Sequence, residues 1–144
     1  MSINKFNSEG YYDPTAYEAM SAIEKEERAL RAFRPIVYIC SPYAGDVEKN
    51  VAAARGYSRF AVDKGYIPIA PHLLFPQFLN DSNPKERQLG LFFGNALMSK
   101  CSEVWVFGSR ISSGMEAEIK RAKWKNYRLR YFTEKLEEKR DVRD

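Results

Sequence analysis

Five consecutive apolar residues at 36–40, Ile-Val-Tyr-Ile-Cys, directly follow Pro35. A strand with one solvent-exposed face alternates apolar and polar residues. An unbroken and partly β-branched apolar run therefore predicts a strand that is buried on both faces. Such strands belong to parallel sheets that carry helices on both sides. This run therefore predicts an α/β protein whose first strand is at 35–40.

Helix-like and strand-like segments alternate along the following chain. The helices are predicted at 46–64, 85–100 and 115–125, and the further strands at 66–70, 103–107 and 127–132. Asp46 is a suitable N-cap for the first of these helices, and Gly65 suits a left-handed residue at its end. Right-handed crossovers then place helices on both faces of the sheet. We predict one α/β domain of four to five parallel strands, a Rossmann-like or flavodoxin-like three-layer sandwich.

With 144 residues, the chain has the length of one domain. We predict three parts: residues 1–34 as a leader with an amphipathic helix, residues 35–132 as the α/β domain, and residues 133–144 as a charged tail that is helical or frayed. In the first part, the spacing of apolar residues predicts a helix at 15–34 that ends before Pro35. Its apolar stripe precedes the core, so it either packs on a second copy of the chain or covers the domain's own sheet.

Several classes of protein are excluded by composition. No apolar run approaches the roughly 18 residues of a membrane span, and the first residues lack the apolar stretch of a signal peptide, so we expect a cytoplasmic protein without membrane association. The two cysteines, Cys40 and Cys101, and the single histidine, His72, lack metal-ligand spacing. We therefore expect no metal site.

The net charge of +4 is concentrated near the C-terminal end of the predicted domain. Residues 115–130 contain six basic and two acidic side chains, and their excess equals that of the whole chain. Such a stretch attracts phosphate groups, but it is equally typical of a solvated helix face. Because no RNA- or DNA-binding motif accompanies it, we do not expect nucleic acid as a partner.

The topology predicts where a ligand binds. Parallel sheets bind ligands beyond the carboxyl ends of their strands, where the strand order switches. Three predicted loops, at 41–46, 71–75 and 108–114, lie at this edge. We expect the pocket to be built from these loops.

Two acidic residues follow the third loop, Glu116 and Glu118. They are about 200° apart around a helix, so they cannot face the same pocket. Glu118 shares the apolar stripe of Met115 and Ile119, whereas Glu116 is placed to pair with Lys120. A carboxylate on a buried stripe is costly unless it is paired, hydrated or protonated. Spacing alone leaves Glu118 as either a functional carboxylate or a residue that favours the helix N-terminus.

The sequence SSGMEAEIKRA at 112–122 resembles the corresponding helix start of the nucleoside 2-deoxyribosyltransferase-like superfamily, which includes nucleoside 5′-monophosphate N-glycosidases. The resemblance extends over about 35–132, and the strand motif VWVFG at 104–108 is similar to that of uncharacterised phage and bacterial members. It implies cleavage or transfer of an N-glycosidic bond without a cofactor, with Glu118 as the nucleophilic carboxylate. It also implies a nucleoside or nucleotide as small-molecule partner, and a homo-oligomer of two or more chains.

The resemblance also implies roles for other residues. Ser112 matches a phosphate-binding serine, but the first loop has Pro, Tyr and Ala at 42–44 where the monophosphate-cleaving relatives have serine and arginine. Asn95 stands where relatives place a pocket aspartate, and an amide cannot act as general acid. Asp46 remains the candidate second acid, although its capping role competes.

Further candidate substrate contacts lie in the predicted loops. They are Ser41, Tyr43, Gly45, His72, Arg110 and Gly114. Tyr43 is a candidate donor to Glu118 or to the sugar, and the backbone at Gly45 could bind an anion. Arg110 has the forked geometry that suits phosphate. Each of these residues also has an ordinary role in a turn or on a surface, and a non-catalytic protein that binds or sequesters nucleotides remains the alternative function.

Overall fold

The structure is a computed structural model that describes residues 14–30 and 33–140. The chain divides into two compact units, with the boundary between Phe33 and Arg34. The described part of the first unit is helix α1, Pro14–Leu30, in which Arg28 lies 4.0 Å from Glu24.

The helix predicted at 15–34 is therefore shorter than expected. Phe33 and Arg34 are not helical, which agrees with the restriction that Pro35 places on the residue before it. The predicted leader before Pro14 lies outside the described residues.

The second unit is built on one parallel sheet. Its strands are β1, Ile36–Cys40, β2, Ile67–Ile69, β3, Glu103–Phe107, and β4, Arg128–Phe132. They lie in the order β2-β1-β3-β4, and every pairing is parallel. The predicted parallel α/β sheet is thus confirmed, with four strands.

Helices cover both faces of this sheet. They are α2, Val47–Asp63, α3, Pro71–Leu74, α4, Pro84–Met98, and α5, Ser113–Trp124. One face of the sheet packs against Met98 of α4 and Met115 of α5, and the other packs against Tyr57 of α2. The predicted three-layer arrangement is confirmed. None of the described helices is both long enough and apolar enough to cross a membrane.

Local sequence signals set the ends of these helices. The Asp46 side chain caps α2 by accepting from the Lys49 N–H at 3.2 Å, as predicted. Gly65 follows α2 with a φ of +88°, in the left-handed region that was expected of it. Asn83 caps α4 by accepting from the Lys85 N–H at 3.0 Å.

Two predicted segments differ from the structure. The expected loop after β2 forms the short helix α3, which Pro71 begins as its first residue, and a 3₁₀ turn at Phe75–Gln77. The tail is not helical over 133–140; it turns back so that Glu138 bridges Phe132 in antiparallel fashion, and Leu136 packs on the core. Residues 141–144 lie outside the described part of the chain.

The strand order sets the place of the site. From β1 the chain passes through α2 to β2 on one side, and from β3 it passes through α5 to β4 on the other. The carboxyl ends of β1 and β3 therefore flank the switch in strand order, where open α/β sheets bind ligands.

Candidate functional site

Glu118 lies on the packed side of α5. Its neighbours on this side, Met115 and Ile119, are 1% and 7% exposed, and Glu118 is itself half-buried. Glu116 is exposed, in keeping with its predicted place on the other side of the helix. The expected ion pair between Glu116 and Lys120 is absent from the ion pairs of the described residues.

The carboxylate of Glu118 is bound by Tyr38 from the middle of β1. The Tyr38 hydroxyl donates a hydrogen bond to Glu118 Oε2, and the tyrosine is only 3% exposed. Cys40, two residues further along β1, points to the same face of the sheet, and its Sγ is 4.0 Å from the Met115 carbonyl oxygen in the first turn of α5. A hydroxyl and a thiol of β1 therefore face the start of α5.

The electrostatics of this group are dominated by burial. Burial raises the pKa of Glu118 to about 7, and hydrogen bonds from Tyr38 and Cys40 offset only part of the increase. Burial, followed by the nearby charge of Glu118, raises the pKa of Tyr38 and of Cys40 well above their ordinary values. No lysine or arginine among the described residues forms an ion pair with Glu118. The carboxyl group thus exchanges its proton near neutral pH.

Helix α4 passes beside the same tyrosine. A Cβ atom on buried Gly94 would lie 3.4 Å from the Tyr38 hydroxyl oxygen, so the glycine lets α4 come close to this hydroxyl. Asn95, the next residue of α4, is half-buried. The structure thus places Asn95 next to the glycine that faces the Tyr38 hydroxyl.

Tyr43 and His72 form a separate aromatic pair. Their rings stack with centroids 4.9 Å apart and an angle of 25° between the planes. Burial lowers the pKa of His72, and the charge of Asp81 opposes this only in part. Tyr43 does not donate to Glu118, contrary to the expectation that it could; the donor is Tyr38, because Tyr38 lies on the strand that α5 covers.

The first loop holds a buried hydroxyl. Ser41 is 1% exposed, and its Oγ has no hydrogen-bond partner within the described part of the chain. Gly45 has a φ of +97°, which only glycine adopts readily, and Asp46 is exposed and occupied as a cap. Asn50 stabilises this loop by donating to the carbonyl oxygen of Tyr43 at 3.0 Å.

In the third loop, Ser112 is the N-cap of α5. Its Oγ accepts from the Met115 N–H at 3.2 Å, so this oxygen already has a local role. Gly114 faces open space, and nothing around it would meet a Cβ atom. Arg110 is exposed. The structure therefore places these three residues on the rim of the sheet edge, outside the contacts of Glu118.

The C-terminal segment holds the start of this loop. Glu134 accepts hydrogen bonds from the Ser109 N–H at 2.8 Å and from its hydroxyl at 2.7 Å. Lys139 Nζ donates to the Gly108 carbonyl oxygen at 3.1 Å. These bonds join residues beyond β4 to the segment that leads into α5.

Two surface grooves lie beside the segment between the 3₁₀ turn at Phe75–Gln77 and α4. A groove of about 600 Å³ is lined by Asn80, Ser82, Asn83, Pro84 and Lys85, and one of about 430 Å³ includes Tyr43, Phe78 and Asp81 in its lining. Glu118 lines neither groove. Among the described residues, no cluster of three His, Cys, Asp or Glu side chains could hold a metal ion.

Sequence reasoning missed Tyr38, which is the principal partner of Glu118. The available signal was the two-residue alternation of β1. Tyr38 and Cys40 share one face while Val37 and Ile39 share the other. That alternation separates the two faces but does not tell which helix covers each of them.

Residues 35–132 match the model of a protein family described as a domain of unknown function, DUF7768. The chain belongs to this family. Glu118, Tyr38 and the carboxyl ends of β1 and β3 all lie within the DUF7768 region, whereas Glu134 and Lys139 lie beyond it. No curated protein matches the chain significantly.

One solved structure with a similar fold is a 2-deoxyribosyltransferase from the psychrotolerant bacterium Bacillus psychrosaccharolyticus, described as a biocatalyst for the synthesis of antiviral and antitumoral nucleosides. It superimposes with a TM-score of 0.56 at 13% sequence identity, over 76% of this chain and 77% of that one. At this identity the likeness is one of fold. The predicted relationship to the superfamily is therefore supported at the level of architecture.

Proposed function

We propose that this protein cleaves or transfers the N-glycosidic bond of a nucleoside or nucleoside 5′-monophosphate, with Glu118 as its reactive carboxylate. The observation that carries the proposal is the half-buried Glu118 carboxylate, bound by the Tyr38 hydroxyl between helix α5 and strand β1. The fold shared with a deoxyribosyltransferase supports the same assignment.

In the proposed reaction, the bond between C1′ of the sugar and the nitrogen of the base breaks, and the base leaves with the electron pair. The ionised Glu118 carboxylate stabilises the positive charge that develops at C1′ or forms a glycosyl ester with it. Water or a second base then takes the sugar and frees the carboxylate. Retaining glycosidases use the same chemistry.

Tyr38 would hold the reacting carboxylate in place. Its hydrogen bond to Oε2 orients Glu118 and stabilises the ionised form, which opposes the effect of burial. Burial raises the pKa of Tyr38 well above its ordinary value, so the phenol keeps its proton and remains a donor at neutral pH. Tyr38 therefore supports a carboxylate that is ionised above about pH 7 and more basic than an exposed one.

The departing base also needs a proton. The contacts of Glu118 in the described residues include no second carboxylate. Asp46 remains the candidate acid, although it is exposed and caps α2. Water that reaches the half-buried carboxylate is the other source that fits this arrangement.

The decisive assay measures free base after incubation with a panel of nucleosides, deoxynucleosides and their 5′-monophosphates. Glu118→Gln should abolish base release, because an amide cannot stabilise the developing charge or form the ester. Glu116→Gln is the matched control, since it removes a carboxylate from the exposed side of the same helix. Equal loss of activity in both variants would contradict the assignment.

A non-catalytic nucleotide-binding protein is the second candidate function. The occupied cap at Asp46 favours it, because the site then lacks an evident acid for the departing base. If this candidate is correct, calorimetry will detect nucleotide binding while wild-type protein releases no base. The buried Ser41 hydroxyl would be a contact for the ligand, so Ser41→Ala should weaken that binding.

We also propose that the chain forms a homo-oligomer through its N-terminal helix. Light scattering on the full-length chain, compared with a chain that starts at Arg34, tests this directly. A full-length monomer at tens of micromolar would contradict it.

A further inference from the structure

The outer side of α5 carries an aromatic and basic surface. Lys120, Arg121 and Trp124 follow one another at helical spacing, and Lys125 continues the surface at the helix end. We call these four residues the α5 outer surface. Trp124 is 76% exposed, whereas the other tryptophan, Trp105, is 1% exposed.

The charge of this surface is of one sign. No acidic residue occurs between Ile119 and Arg130. Lys120, Arg121 and Lys125 form no ion pair within the described residues, and Lys125 Nζ lies 4.7 Å from the centre of the Trp124 ring. A solvent-exposed helix face rarely carries a large aromatic side chain among cations that form no ion pair.

We infer that the α5 outer surface binds single-stranded nucleic acid. Lysine and arginine neutralise backbone phosphates, and an exposed tryptophan offers a face on which an unpaired base can stack. A duplex does not present its base faces, so it could use the cations but not the ring. This proposal revises the earlier expectation that nucleic acid is not a partner, since the sequence showed the charge but not the exposure of Trp124.

A membrane surface fits this part of the molecule less well. Amphipathic helices bind membranes by burying an apolar face in the lipid. The apolar residues of α5, Met115, Ile119 and Ala122, are at most 7% exposed because they pack on the sheet. Trp124 is the one large apolar side chain that α5 exposes. The α5 outer surface therefore carries positive charge and one aromatic ring, but it has no apolar face that could insert into a lipid bilayer.

The proposed surface is separate from the glycosidic chemistry. Trp124 follows Glu118 by six residues, which is about 240° around the helix, and Glu118 faces the sheet. Nucleic-acid binding at this surface can therefore be tested independently of base release at Glu118.

Binding is measured by fluorescence anisotropy with labelled dT12 and rU12, whose comparison separates DNA from RNA. We expect dissociation constants of about 1–100 µM at low salt, and a slope of about −2 for log K against log salt, as for three phosphate contacts on a single strand. Unlabelled oligonucleotide should quench the exposed Trp124 and not the buried Trp105.

The variants separate stacking from charge. Trp124→Ala should weaken binding about tenfold, while Trp124→Phe should retain more of the affinity. Lys120→Glu combined with Lys125→Glu should lower the affinity and flatten the salt slope by about 1.4, the share of two of the three contacts. Lys120→Glu alone and Arg55→Glu change the net charge equally, so Arg55→Glu is the control for this single substitution. Arg55 is exposed on α2, on the opposite face of the sheet, and its substitution should leave binding close to wild type.

Four outcomes of the binding assays in solution would overturn the proposal. These are undetectable binding of both oligonucleotides, unchanged affinity in Trp124→Ala, equal affinity for a poly-glutamate chain, and equal affinity for a 12-base-pair duplex. A flotation assay with vesicles that contain anionic lipid tests a further outcome. If the protein binds these vesicles and the binding also requires Trp124, the surface would be assigned to membranes instead. Circular dichroism of each variant verifies folding. Because the substituted side chains are exposed, the substitutions should leave the fold unaffected.

Discussion

Two glutamates of the second unit, one in the sheet and one on a helix that packs against it, have opposite electrostatic surroundings. Glu103 begins β3 and is 8% exposed, whereas Glu118 lies on α5 beside the carboxyl half of β1. Each accepts a hydrogen bond from a tyrosine, Tyr66 for Glu103 and Tyr38 for Glu118. They differ in the cation: Arg130 lies 3.4 Å from Glu103, and no cation pairs with Glu118 in the described residues.

At Glu103, the cation and the larger number of donors outweigh the effect of burial on the pKa. Burial raises the pKa of Glu103, but hydrogen bonds from Trp105, Tyr66 and Arg130 together outweigh it, and the net pKa is lowered. For Glu118 burial prevails, and its pKa is about 7. A carboxylate with a full set of partners stabilises the fold, whereas one that is partly desolvated and poorly compensated is available for chemistry.

The largest effect should separate the two glutamates by activity. Glu118→Gln should lower base release at least about 1000-fold, as loss of a nucleophile does in enzymes. Glu103→Gln should leave the activity of the folded protein within a few-fold, because Glu103 is at the amino end of β3, away from the proposed site. Base release by the two variants at 20 °C, with folding verified by circular dichroism, is the measurement. A greater loss for Glu103→Gln would reverse the comparison.

The next effect concerns the stability cost of Glu118. Its pKa is about 7 in the folded protein and about 4.5 in an unfolded chain, so the folded state holds the proton more tightly. Stability should therefore fall as pH rises through this window, by about 3 kcal/mol at most above pH 7. Glu118→Gln lacks this loss and should gain stability relative to wild type between pH 5 and pH 8 in urea titrations. A constant difference between the two proteins would show that Glu118 does not titrate in this range.

The third effect tests the cation beside Glu103. Arg130→Met should destabilise the protein by about 2 kcal/mol, because it leaves Glu103 with only neutral donors and also removes the bonds from Arg130 to Glu138 at 2.9 and 2.8 Å. The partial exposure of Arg130 keeps the loss below that of a fully buried pair. Combining it with Glu103→Gln should recover part of the loss. Urea unfolding at pH 7 measures both variants, and additive losses would argue against coupling between these side chains.

The smallest effect tests the donor to Glu118. Tyr38→Phe removes a hydrogen bond that lowers the pKa of Glu118, so the pH midpoint of base release should move upward from about 7. A shift of about one pH unit would lower activity at pH 6 about tenfold and leave much less difference at pH 9. Cys40→Ala should act in the same direction but less, since a thiol is a weak donor. A downward shift of the midpoint would contradict this role for Tyr38.

Much of the secondary structure could be predicted because its signals are local. The apolar run of β1, the cap at Asp46 and the glycine at 65 each act within a few residues, and the structure agrees with all three. The short helix α3 was missed because its four residues provide too little periodicity to distinguish it from a loop. The tail at 133–140 was also misjudged, since Leu136 and Glu138 are held by contacts with the folded sheet rather than by a local pattern.

The sequence by itself determined that Glu118 faces the core, because helical periodicity places it with Met115 and Ile119 whatever surrounds the helix. Only the tertiary structure decided what meets it there. Tyr38 is 80 residues away in the chain, and the two meet because the β2-β1-β3-β4 order and its crossovers lay α5 against β1. Periodicity acts over one turn of helix, whereas the pairing of two buried polar groups depends on how whole elements pack, and so does the pKa that follows from it.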